Sequence, residues 1–155
     1  MRALGVDYGQ RRIGLALSDA SGMLARPWKT IAGAGNARQV AQAIAGELAA
    51  LERDDDPVGV IVMGYPRRLN GEPNAQTAAV EKVADHLRRV VNVPLVLQDE
   101  RLSSHEADGL LARSERNWRR RKAQLDAMSA AVILQDYLDS GAARGAEPAA
   151  EDRDR

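Results

Sequence analysis

Cysteine is absent from the 155 residues, which excludes a disulfide framework, a thiolate metal site and a cysteine nucleophile. Histidine is nearly absent too. Only His86 and His105 offer ring nitrogens, one within a helical segment and one at a helix start, positions that suit surface or capping residues. A metal ion in this protein must therefore be held by oxygen. An excess of one charge is missing as well: the 22 basic and 22 acidic side chains cancel, so only local clusters can favour a charged partner. No apolar run reaches membrane-spanning length, and Met1-Arg-Ala-Leu-Gly-Val6 has no apolar signal segment. The expectation is a cytoplasmic protein with no membrane partner and a chain long enough for one domain with its own core.

The apolar residues that are present come in short segments. Residues 3–7 and 13–18 flank the turn-prone Tyr8-Gly-Gln-Arg-Arg12, predicting two antiparallel strands with Asp7 at the carboxyl end of the first. A third strand follows at residues 27–31. Asn36 offers an N-cap, and Val40, Ala41, Ile44, Leu48 and Leu51 recur at helical spacing until Asp54-Asp-Asp56 stops the pattern. The nearly unbroken run 58–64 predicts a central parallel strand covered on both faces. Residues 75–91 read as a helix, and 93–100 as another buried strand with Pro94 confined to its start.

Beyond it, a short helix is predicted from His105 to Ala112, then a polar loop 113–121, then a helix 122–138 closed by Gly141. Residues 141–155 carry no large apolar side chain, which predicts a disordered tail after a domain of residues 1–140. The order β-β-β-α-β-α-β-α predicts an α/β fold: a mixed five-stranded sheet with helices on both faces.

Acids mark the ends of these elements. Asp7 ends the first strand, Asp99 and Glu100 end the last, and Asp126 falls near the start of the final helix. In open sheets with parallel strands the ligand crevice lies at the carboxyl ends of the strands, so these acids can converge there. Clustered carboxylates repel, and each is costly to bury alone, so a cluster needs shared protons or a bound cation. Oxygen-only ligation favours Mg2+ or Mn2+. Two such ions would stabilise the attacking and leaving oxygens of an in-line phosphoryl displacement.

Each acid also has a local reading. Asp7 can cap the turn at Tyr8-Gly9, Asp99-Glu100-Arg101 can form a turn with an ion pair, and Asp126 can be a first-turn helix acid. Strand alternation sends Asp99 and Glu100 to opposite faces, which leaves Asp99 as the reserve for Glu100. Gly9 and Gly14 suit a tight hairpin whose amides approach a phosphate, although the dinucleotide fingerprint is absent.

Basic residues surround the same end. Six of the ten residues from Arg113 to Lys122 are basic, with Trp118 available for stacking on a base. Arg11 and Arg12, Arg67 and Arg68, and Arg101 occupy neighbouring loops. Arg11, Arg12, Arg67, Arg101, Arg119, Arg120, Arg121 and Lys122 are therefore candidate phosphate contacts. A basic rim around an acidic centre attracts a polyanion while reserving the middle for cations.

Four motifs then occur in order. They are Gly5-Val-Asp-Tyr-Gly-Gln-Arg-Arg-Ile-Gly14 with Ser18-Asp19, Val62-Met-Gly-Tyr-Pro66 with Asn70-Gly71, Asp99-Glu-Arg-Leu-Ser-Ser104, and Lys122 and Asp126 with Ala130-Ala131 and Ile133-Leu-Gln135. In these the sequence resembles the YqgF/RuvX family, bacterial nucleases assigned as Holliday junction resolvases within the ribonuclease H-like superfamily. The resemblance spans roughly residues 1–140, with Tyr65 where many relatives carry Leu. It implies a ribonuclease H-like fold and phosphodiester cleavage with Mg2+ or Mn2+. It also implies Asp7, Glu100 and Asp126 as the active-site acids, and maturation of the 5′ end of pre-16S ribosomal RNA.

The resulting expectation is a metal-dependent endonuclease acting on structured nucleic acid, as a monomer or weak homodimer. Its first rival is a Holliday junction resolvase, which needs two sites related by a two-fold axis and hence a dimer on four-way DNA. The others are a nucleotide-binding regulator and a nucleic-acid-binding module without catalysis.

Overall fold

The computed structural model describes residues 1–66, 75–99 and 118–141, with side chains in the last segment from Gln124 onward. Five strands form one sheet: β1 (Arg2–Tyr8), β2 (Arg12–Ser18), β3 (Ala25–Ala32), β4 (Val58–Tyr65) and β5 (Leu95–Asp99). Three helices accompany them: α1 (Ala37–Arg53), α2 (Ala75–Val90) and α3 (Trp118–Asp139). The strand order is β3-β2-β1-β4-β5. β2 runs antiparallel to both β1 and β3, whereas β4 pairs in parallel with both β1 and β5. The mixed five-stranded sheet expected from the sequence is thus present.

Local chemistry accounts for the element ends. Asn36 caps α1, its side chain accepting from the Gln39 amide at 2.9 Å while the Gln39 side chain accepts from the Asn36 amide at 2.9 Å, a reciprocal capping box. Pro94 precedes β5 and loses no ladder bond, because only its carbonyl is used, accepting from the Ile61 amide. Gly141 follows α3 with φ 77°, the left-handed conformation that a helix-ending glycine supplies.

Strand alternation divides the core in two. On one face Leu4, Val6, Ile13, Leu15, Ile61 and Met63 pack against Val40, Ile44, Val80 and Leu87 of α1 and α2. On the other, Ala3, Ala16 and Val62 pack against Ala130, Ala131, Ile133, Leu134 and Tyr137 of α3. Helices therefore cover both faces. Among the described residues no helix is long and apolar enough to cross a membrane.

The structure moves one boundary that bears on function. α3 begins at Trp118, not at Lys122, because arginine and lysine propagate a helix readily and no Gly or Pro interrupts Trp118-Arg-Arg-Arg-Lys122. Arg119, Arg120, Arg121 and Lys122 thus lie on the first turns of α3 and not in a loop, and their side chains lie outside the described residues. So do the predicted helix 105–112, the remainder of the predicted loop, and the predicted tail from residue 142.

Candidate active site at the carboxyl end of β1

Parity along β1 fixes where Asp7 points. Leu4 and Val6 belong to the α1/α2 core, while Ala3 belongs to the α3 core, so Gly5 and Asp7 face α3. Asp7 is partly buried and stands opposite Gly14 of β2 in the ladder. Arg12, two residues before Gly14, shares that face.

α3 crosses directly above. A Cβ built on Gly5 would lie 2.8 Å from the Ala130 carbonyl oxygen, and one on Gly14 would lie 1.8 Å from the Asp126 carbonyl oxygen. Both strands need glycine there, because the helix backbone occupies the space a side chain would fill. Gly14 therefore does not serve the hairpin, as its sequence position suggested. It lies within β2 and seats the helix. Gly9 does serve the turn, since a Cβ there would meet the Arg12 carbonyl oxygen at 2.7 Å.

This seating puts Asp126 and Asp7 on the same face of the sheet, each adjoining Gly14, one through the strand ladder and one through helix contact. Asp126 is the ninth residue of α3 counted from Trp118, beyond the first turn where the helix dipole favours an acid. Its reading as a first-turn acid is corrected accordingly. The Asp126 carboxylate accepts from Nε of Arg12 at 2.6 Å, with both side chains partly exposed. Arg12, expected at a phosphate, thus holds one of the candidate metal ligands.

The rim is stitched by polar contacts. Gln76 at the start of α2 donates to the Tyr8 carbonyl at 3.1 Å, and the buried Thr77 hydroxyl donates to the Pro66 carbonyl at 2.5 Å. The Arg11 side chain is exposed at the hairpin, and its carbonyl accepts from the Gly33 amide at 2.9 Å. Gln76 and Thr77 gave no signal in sequence, since helix-start polar residues are common and their partners are distant in the chain.

Asp99 is exposed at the end of β5 and pairs in register with Tyr65. Leu95 and Leu97 belong to the α1/α2 side, so Asp99 falls on that face, opposite Asp7. As a reserve for Glu100 it is misplaced. Glu100, Arg67 and Arg101 lie outside the described residues. Among the described residues no group of three potential metal-ligating side chains assembles, while Asp7 and Asp126 supply a pair of carboxylates. Their donor set is oxygen alone, which fits a hard divalent cation.

A groove of about 420 Å³ runs between β3 and α3, lined by Pro27, Trp28, Thr30, Gln124 and Met128 among others. Gln124 and Met128 each lie two residues from Asp126, about half a turn around the helix. Thr30 pairs with Gly14 in the β2–β3 ladder, so the groove borders the helix seat.

Comparison with known proteins bears on this arrangement. A family model described as RuvX, Holliday junction resolvase, matches residues 1–140. A protein of Syntrophus aciditrophicus is 39% identical over 140 residues, covering 90% of this chain and 89% of its own length. One of Chloroflexus aggregans is 40% identical over 137 residues, covering 88% and 92%, and one of Geobacillus kaustophilus is 37% identical over 145 residues, covering 90% and 99%. All three carry the provisional name "pre-16S rRNA nuclease". Among solved structures, Thermus thermophilus RuvC matches with a TM-score of 0.53 at 15% identity, covering 91% of this chain and 97% of that one. A likeness at that identity speaks for the fold, which is ribonuclease H-like.

Proposed function

The chain belongs to the RuvX family, and from that membership we propose that it is a divalent-metal-dependent endonuclease that matures the 5′ end of pre-16S ribosomal RNA in the cytoplasm. Residues 1–140 form the nuclease unit in this reading. The carrying observation is that Asp7 and Asp126 lie on one face, each against a glycine whose Cβ position the helix backbone fills. Glu100 is taken as the third acid in preference to Asp99, because Asp99 sits on the opposite face.

The chain's own residues divide the work. Asp7, fixed by the ladder, and Asp126, fixed by the helix seat, present carboxylate oxygens where Mg2+ or Mn2+ would be held. A bound divalent ion supplies Lewis-acid stabilisation to the phosphoryl oxygens as charge shifts between the attacking and leaving groups. Arg11 at the exposed hairpin, together with Arg67, Arg101, Arg119, Arg120, Arg121 and Lys122, binds the phosphates on either side of the scissile bond. Relatives carrying the rRNA nuclease name favour the RNA substrate. The family's description favours a second reading, resolution of four-way DNA junctions, which requires a dimer.

One experiment tests both. The protein and its Asp7→Asn variant are incubated with pre-16S ribosomal RNA and with a four-way DNA junction, each with Mg2+, Mn2+ or chelator. The expected result is metal-dependent RNA cleavage that falls roughly a hundredfold or more in the variant. Absence of cleavage, or equal cutting by the variant, refutes the nuclease reading, and selective junction cutting by a dimer promotes the second.

A further inference from the structure

Arg12 approaches Asp126 from the strand side with a geometry that has a consequence for metal binding. Nε lies 2.6 Å from Oδ2, a short charge-assisted bond. Arg12, Gly14 and Asp7 share one face of the β1–β2 ladder, and the Gly14 seat pins Asp126 above it. A partly buried carboxylate is stabilised by a positive charge beside it, and for Asp126 that charge is the Arg12 guanidinium.

A divalent ion bound by Asp126 would need the same carboxylate. An arginine already bonded to it opposes the ion twice, by occupying an oxygen and by repelling a like charge at close range. We propose that Arg12 is a positioning residue that serves as the resident counter-cation of Asp126, holding the carboxylate in its binding orientation and competing with the incoming divalent ion, which displaces it. The inference rests on the metal-dependent reading above and adds a regulator of ion affinity to it. Arg12 is thereby released from Asp126 only in the ion-bound protein, so its charge becomes available to a substrate phosphate at the moment the site is loaded. Reciprocity of coupled binding requires that whatever favours the Arg12–Asp126 bond weakens the ion, and the reverse.

The test reads ion binding and not cleavage. Mn2+ binding, followed through the resonance of the free ion, is measured on the full chain for the parent, Arg12→Gln, Arg12→Lys, Asp126→Asn and the double variant Arg12→Gln/Asp126→Asn. Arg12→Gln is expected to bind Mn2+ roughly threefold to tenfold more tightly at low salt, and less so at high salt. Arg12→Lys, which keeps the charge, should stay within about twofold of the parent. In the Asp126→Asn background the gain from Arg12→Gln should shrink by roughly half or more, since the partner is gone.

A second readout needs no variant: in isotope-labelled parent protein, the Arg12 Nε–H signal should shift toward that of a free arginine as Mg2+ is added. Equal Mn2+ affinity in parent and Arg12→Gln overturns the inference. So does an undiminished gain in the Asp126→Asn background, or an Arg12 signal that ignores bound Mg2+. If no variant binds Mn2+, the metal reading itself fails and takes this inference with it, whereas binding indifferent to Arg12 sinks the inference alone.

Discussion

The two faces of the sheet bury their side chains in opposite ways. Toward α1 and α2 the strands present Leu4, Val6, Ile13, Leu15, Ile61 and Met63, and large aliphatics hold the helices away at side-chain distance. Toward α3 they present Ala3, Gly5, Gly14 and Ala16, met by Ala127, Ala130 and Ala131, and the helix backbone comes down onto the strands. The first face contributes burial area and therefore stability. The second brings backbone to backbone, and so sets the position of a helix residue relative to a strand residue closely enough to make a site. A site needs placement within about half an ångström, which small residues in direct contact supply better than long, flexible ones.

One methyl group distinguishes the faces. Gly14→Ala places a Cβ where the Asp126 carbonyl oxygen already sits. α3 must shift, at a cost of about 3 kcal/mol or more, and activity per folded molecule should fall with it. Chemical denaturation and single-turnover cleavage on the same preparation check this, and a variant that matches the parent in both removes the seat from the argument. Ile44→Val deletes a methyl from the opposite core, where Ile44 is fully buried, and should cost about 1 kcal/mol with activity unchanged. Loss of activity beyond the loss of folded protein would show that the two faces are not separable.

Gly46, on the exposed side of α1, has no heavy atom within 4 Å of a built Cβ. Gly46→Ala should therefore stabilise by somewhat under about 1 kcal/mol through helix propensity, read as a rise in melting temperature. A fall would contradict the open space seen there.

The smallest effect concerns the β2–β3 turn. The Asp19 carboxylate accepts from the Ser21 hydroxyl at 2.7 Å and from the Met23 and Leu24 amides at 2.8 and 3.2 Å, bonds that lower its pKa from 3.8 to about 2. The folded value lies below the unfolded one, so this contribution is fully present above about pH 4 and is lost as pH falls through about 2. The melting temperature of the parent should exceed that of Asp19→Asn near neutrality, and the gap should close over that acid window. A gap independent of pH would assign the effect to the turn's shape and not to its charge.

Much of the fold was legible because its signals are local. The Asn36 cap, the unbroken run 58–64 and the spacing of Val40, Ile44 and Leu51 each act within a few residues. The ends were less secure: α3 extends back to Trp118 because helix propagation through arginines obeys propensity, whereas a dense basic run resembles a loop by composition. The site was legible in part. Asp7 and Asp126 were identifiable as acids at element ends, whereas the face of Asp99 followed only from the packing of Leu95 and Leu97 in β5. The Arg12–Asp126 contact had no sequence signal at all, since 114 residues separate the partners.

The sequence by itself determined the oxygen-only donor set, the order of elements, and the small residues of one strand face, because composition and periodicity are written along the chain. Only the tertiary structure decided that Gly14 is a seat and not a turn, that Asp7 and Asp126 both adjoin it, and that Arg12 pairs with Asp126. Those outcomes depend on the absence of a Cβ at one point in space, and an absence gains meaning only from the distant backbone that fills it.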